Sequence, residues 1–214
     1  MQYLPEGVEL KTPLKERDVR RLRSGDIIYF TGFIWTGMHG PMIRAIEEGK
    51  NPPIDTKQYN VFAVGRGGKE VNGNFECSEI NAPVPTTGFR YIKWIPDMIR
   101  RFQLLAIIAK DGMGLHTPTI EACKEVGCIT GANYVFPPKQ RVTKTCKGVK
   151  EAFWLDVKGS FVVEVEYMGP YVVNIDSQGN CHTKNRIEDT MRRATKVYEK
   201  LKISDFQYIP LEYF

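Results

Sequence analysis

The stretch PVPTTGFR, residues 83–90, sets two adjacent threonines and an arginine just ahead of an amphipathic segment. Hydroxyls and a guanidinium all seek an anion, and the planar fork of Arg90 matches a carboxylate or phosphate with two parallel hydrogen bonds. A helix starting near Thr87 adds free backbone N–H groups and a positive dipole end. The four-residue spacing of Thr86 and Arg90 then puts hydroxyl and guanidinium on one face. A threonine cap beside a solvent-facing arginine is the plainer alternative. A second candidate is AKDGMG, residues 109–114, where Lys110 ends an apolar run and a glycine turn leads into a helix. A third is TGMHG, residues 36–40, whose position and glycines, Gly37 among them, suit a ligand loop that carries the imidazole of His39. The chemistry these residue types permit is binding and neutralising a small anion. NIDSQGN, residues 174–180, reads instead as an ordinary polar turn.

Several elements must position these groups. IIYFTGFI (27–34), NVFAVG (60–65) and LLAIIAK (104–110) read as buried strands, and ANYVF (132–136) as a further candidate. FVVEVEYMGPYVVNID (161–176) reads as two long strands around Gly169-Pro170. Helices are expected over LKERDVRRL, with Thr12 as cap and Pro13 in its first turn, over GPMIRAIEEGK, and over TPTIEACKEVG with Gly127 at its end. YIKWIPDMIRRFQ has helical apolar spacing, with Pro96 either a kink or the true first turn. GRGGKEVNGN supplies one hairpin turn or two, and RSGD (23–26) another turn. The amphipathic segment at about 185–201 carries Ile187, Met191, Ala194, Tyr198 and Leu201 on one stripe and is expected to pack on its own domain. Strands alternating with helices indicate an α/β fold with a central parallel sheet and a smaller antiparallel or mixed layer. The 214 residues read as one domain, with a core at about 10–186.

Composition narrows the function. A net charge of +5 favours anionic partners but is too mild for a nucleic-acid-binding protein. KQRVTKTCKGVK, residues 139–150, lacks the interleaved aromatics of a base-stacking surface. GRGGKE lacks the spacing of a dinucleotide or phosphate-binding loop. The N-terminal MQYLPEGVEL has no leader pattern, and LLAIIA is too short to span a bilayer, so a cytoplasmic protein with no membrane partner is expected. Five scattered cysteines (Cys77, Cys123, Cys128, Cys146, Cys181) argue against a disulfide framework, and Cys123 and Cys128 read as buried thiols rather than metal ligands.

The order of motifs is more specific than any one of them. A GD-x-x-x-x-TG strand, a TG-x-x-G loop, P-TT-x-x-R, a strand ending in K-x-GMG, and ID-S-x-GN follow one another between about Leu10 and Arg186. This succession resembles the β subunit, or fused C-terminal domain, of the iron–sulfur class I fumarate hydratases and L-tartrate dehydratases. The resemblance implies a swivelling β/β/α three-layer domain and a site formed between two subunits. It implies a partner α subunit holding a four-iron four-sulfur cluster, no metal held by this chain, and reversible hydration of a small hydroxy acid; homodimerisation also stays open. It places the family's substrate threonine on Thr86, its carboxylate arginine on Arg90 and its lysine on Lys110. Gly37 and Thr87 are expected as further substrate contacts, Thr86 and Lys110 as catalytic residues with His39 as a local substitute, and the general base on the partner. Three departures stand out. Met38 occupies the usual arginine position of the first loop, Gln178 replaces a histidine, and the small-residue stretch is not recognisable at about 136–141. Compensation by the α subunit, His39 or Arg44 is one expectation. A substrate with one carboxylate and a less polar group against Met38 is another. A non-catalytic anion-binding or regulatory subunit is the alternative function.

Overall fold

The computed structural model describes residues 5–77, 84–110, 112–133 and 146–202. Four strands run parallel at its centre: β2 (Ile27–Gly37), β3 (Val61–Arg66), β7 (Ala106–Ala109) and β8 (Ile129–Ala132). The edge strand β1 (Val8–Lys11) adds in parallel to β2, and the long β10 (Ser160–Ile175) lies antiparallel to both β2 and β8. Because β2 also pairs with β3, the pairings β2–β10–β8–β7–β3 close on themselves. β9 (Cys146–Phe153) pairs with the first half of β10, β4 (Gly68–Val71) with β5 (Asn74–Cys77) forms a hairpin at Asn72-Gly73, and the two-residue β6 (Val84–Pro85) pairs antiparallel with the end of β3.

Both faces of the parallel strands are buried, which explains their near-continuous apolar composition. The two-residue alternation divides them cleanly. On β3, Val61 and Ala63 join Leu10, Val19, Ile28, Ile108, Ile129 and Val163 in one cluster. Phe62 and Val64 join Trp35, Met42, Met98, Ile99, Ile107 and Cys123 in the other. Three helices cover that second face: α2 (His39–Ile46), α3 (Ile95–Phe102) and α4 (Thr117–Val126). The eight residues of α3 are too few for a stable isolated helix, so packing holds it. Met98 and Ile99 are buried, each worth about 1.5–3 kcal/mol.

The mixed α/β class and the central, mostly parallel sheet agree with the sequence. Pro96 lies in the first turn of α3, Gly127 ends α4 in the left-handed conformation, and the RSGD and DSQGN turns form. Several expectations need correction. Thr12 and Pro13 do not open a helix; α1 (Glu16–Val19) starts after Lys15, while Thr12 pairs its N–H with Thr31. FVVEVEYMGPYVVNID is one bent strand, because β10 stays paired with β2 across register shifts between Val165 and Tyr171. Cys77 and Cys146 form a disulfide, brought together when the hairpin packs beside β9; their separation of 69 residues carried no such signal. Cys123, Cys128 and Cys181 are buried thiols. α5 (His182–Leu201) has no fully buried side chain among the described residues, so the expected packing on its own domain is slight. No helix of the described residues is long and apolar enough to cross a membrane.

Gly32 lies between the part of β2 that pairs with β1, Ile28–Thr31, and the part that pairs with β3, Trp35–Gly37. Its φ of +115° is open only to glycine without strain, and an added Cβ would overlap the Thr12 hydroxyl. Gly32→Ala should lower unfolding free energy by about 2 kcal/mol in urea titration. An unchanged midpoint and slope would show that this position does not depend on glycine.

Candidate functional site

The parallel strands end together. Register pairs Gly37 with Val64, Ala63 with Ile108, and Ala109 with Ala132, so Met38, Gly65, Lys110 and Asn133 emerge from one edge. Thr86 is tied into that edge by its backbone. Its N–H donates to Val64 O at 2.6 Å, and Lys110 N–H donates to Thr86 O at 2.9 Å. Asn133 N–H then donates to Lys110 O at 3.2 Å. Gly112, at φ +101°, brings the following loop against the PTTGFR turn: an added Cβ would lie 2.7 Å from Phe89 Cβ. Arg90 and Lys110 therefore rise from touching segments, both exposed.

The structure thus gathers Gly37, His39, Thr86, Thr87, Arg90 and Lys110 on the carboxyl edge of the parallel strands, where α/β sheets bind ligands. Asp111 and Pro83 lie outside the described residues, as do residues 134–145, which contain most of the basic loop and the end of ANYVF. The helix expected at Thr87 is only a one-turn 3₁₀ segment, Gly88–Tyr91, and Thr87 makes no side-chain cap. A single turn has no useful macrodipole, so the anion-seeking character of PTTGFR rests on its side chains and not on a helix terminus. Burial raises the Tyr91 phenol above its ordinary pKa, and the neighbouring Arg90 cation pulls it back, which places a positive field on this turn.

The first loop is arranged differently from the expectation of a compensating arginine. Met38 is half-buried and precedes α2, whose first residue is His39. Arg44 cannot stand in for the absent arginine. Its guanidinium donates to both oxygens of Asp156 at 2.7 and 2.6 Å and sits 3.7 Å from Glu48. That pairing holds the Asp156 carboxyl below its ordinary range. Gly40 packs against the Val157 carbonyl, so the Asp156 segment is pinned under the loop.

The DSQGN turn is structural. Asp176 is buried and accepts from Ser24, Gln178 and Asn180, closing an Asx turn that joins β10 to α5. Among the described residues no group of three His, Cys, Asp or Glu side chains could hold a metal ion. The buried Cys128 thiol is pushed well up by desolvation and by its Cys123 neighbour. These residues do not fit an iron–sulfur cluster. Asn133 was passed over because ANYVF reads as an apolar strand; a polar residue at the carboxyl end of a parallel strand was the available signal.

The basic groups lie beyond the carboxyl ends of the parallel strands, the edge at which open α/β sheets commonly bind ligands. The family model described as Fumarase C-terminus matches residues 4–185, and the chain belongs to that family. It is 28% identical over 198 residues to "Putative L(+)-tartrate dehydratase subunit beta" of Methanocaldococcus jannaschii, covering 88% of this chain and 93% of that one. Identity is also 28% over 176 residues with "L(+)-tartrate dehydratase subunit beta" of Escherichia coli K12, covering 80% and 84%. It is 29% over 184 residues with "Putative fumarate hydratase class I" of Geobacillus stearothermophilus, covering 81% of this chain and 33% of that protein. The family match ends inside the first turn of α5.

His116 precedes α4, with Nδ1 2.8 Å from Thr119 Oγ1, and burial lowers its pKa from the ordinary 6.5. His182 is lowered by burial and then by Arg186. Below pH 6.5 the unfolded histidines take up protons that the folded ones resist, so stability is full above that pH and falls as acid is added. Urea unfolding from about pH 7.5 to about pH 5.5 should show this decline, and the double variant His116→Asn/His182→Asn should flatten it. An equal decline in the double variant would assign it to other groups.

Proposed function

We propose that this chain is the β subunit of a hydro-lyase that reversibly removes water from a small hydroxy acid. The observation that carries the reading is the backbone-locked pairing of PTTGFR with the Lys110 loop at the ligand-binding edge of a fumarase C-terminal domain. Relatives named as tartrate dehydratase β subunits and as a class I fumarate hydratase supply the reaction class.

In this reading Arg90 grips one substrate carboxylate and Lys110 neutralises it. Breaking the C–H bond next to a carboxylate pushes negative charge onto that carboxylate, so cations held there lower the barrier more than they tighten the ground state. Thr86 and Thr87 orient the acid, and His39 takes part from the first loop, while Gly37 is buried against Phe62 and Ser160 and serves the packing beneath that loop. In the same reading the general base and a four-iron four-sulfur cluster belong to an α subunit, in keeping with relatives named as β subunits. Met38 leaves the far end of the substrate without an arginine from this side, and Arg44 is committed to Asp156. That end is gripped by the partner or carries a less polar group.

The test is anaerobic co-expression with a cluster-bearing α subunit and assay of fumarate hydration and L-tartrate dehydration. Turnover is expected, and Arg90→Ala should cut kcat/KM by about a hundredfold or more, the usual loss for one partner of a desolvated charge pair. A fully assembled cluster with no turnover on either acid would sink the proposal.

A further inference from the structure

Among the described residues of the candidate edge, Asn133 is the one with a buried side-chain atom that lacks a hydrogen-bond partner. It directly follows β8, is only 6% exposed, and its side-chain oxygen is buried with no hydrogen-bond partner. A buried amide oxygen left without a donor is costly, and native proteins rarely leave one unless something else supplies the proton. Its backbone N–H is already used on the Lys110 carbonyl, one rung beyond the last paired residues, Ala109 and Ala132.

The alternation of the strands says where this oxygen belongs. Ala106 and Ile108 of β7 and Ile129 of β8 face the same core cluster, so Lys110 and Asn133 continue on that same face. At the same level of β3 stands Gly65, which contributes no side chain. Across the sheet the order is Asn133, Lys110, Gly65, so the cation stands between an unpaired acceptor and a position left open by glycine.

Resting on the hydro-lyase reading, we infer that Asn133 is a substrate-positioning residue, its side-chain oxygen accepting a hydrogen bond from a hydroxyl of the acid whose carboxylate meets Lys110. A carboxylate cannot satisfy this oxygen, because both are acceptors; a hydroxyl can. Asn133 therefore selects hydroxy acids over their deoxy counterparts. A site that buries an acceptor for a ligand hydroxyl discriminates strongly against the analogue lacking it.

The test is calorimetric binding of L-malate and succinate, which differ by one hydroxyl, to the full chain. Wild type should prefer malate by about tenfold. Asn133→Leu should weaken malate and leave succinate unchanged, bringing the ratio to about one, while Asn133→Ser, which keeps an acceptor oxygen, should retain part of the preference. Thermal unfolding of each variant checks that it is folded, and the wild-type ratio alone stands if Leu is not tolerated. A wild-type ratio near one, or an unchanged ratio in a folded Asn133→Leu, overturns this role. Arg90→Ala separates it from the underlying reading: that variant should weaken both acids equally. If it moves neither, or if wild type binds neither acid, the carboxylate site itself is wrong. If it weakens both while Asn133→Leu leaves the ratio intact, only the Asn133 assignment fails.

Discussion

Everything at the candidate site depends on a short relay of backbone hydrogen bonds, from Thr86 N–H to Val64 O, from Lys110 N–H to Thr86 O, and from Asn133 N–H to Lys110 O. Thr86 completes the ladder between β3 and β7 one step beyond their own pairing. A loop residue is thereby held as firmly as a strand residue. Side chains on either side of it inherit that rigidity, which is what positioning a reactive acid requires. Gly112 adds the second constraint, since any Cβ there would push the Lys110 loop off the turn that carries Arg90.

The relay stands on β3, β7 and β8, which are buried on both faces. One apolar cluster lies between the parallel strands and β10 with its neighbours, the other under α2, α3 and α4. The closed sheet has a glycine of positive φ in β2, at Gly32, and register shifts in β10 near Gly169. The carboxyl edge is left as the place where polar chemistry gathers. Arg44 and Asp156 show how firmly the first loop is fixed: a bidentate ion pair holds it from below, so Met38 is part of the local architecture.

Much of this was legible in the sequence, for identifiable reasons. Buried parallel strands read as apolar runs, and glycines at Gly49, Gly127 and Asn72-Gly73 marked ends and turns through their positive φ. The gathering of Thr86, Arg90, Lys110 and Gly37 on one edge followed from strand order and the motif succession. What could not be read were features set by tertiary contact. The disulfide depends on a hairpin meeting β9, and the single strand at Phe161–Ile175 on continuous pairing across a bend. The short turn at Gly88–Tyr91 looked like a helix start because threonine followed by glycine serves both. Asn133 was hidden by its apolar neighbours, and only its unpaired oxygen singles it out.

The central claim is that a small carboxylic acid sits on the edge organised by Thr86 and Lys110. It is tested most directly by following backbone amide resonances of the full chain during titration with L-malate. Saturable shifts are expected at Thr86, Thr87, Gly88, Arg90, Lys110 and Gly112, with DSQGN and α5 unmoved. Shifts confined to other surfaces, or none at concentrations well above those of typical substrates, would contradict the claim.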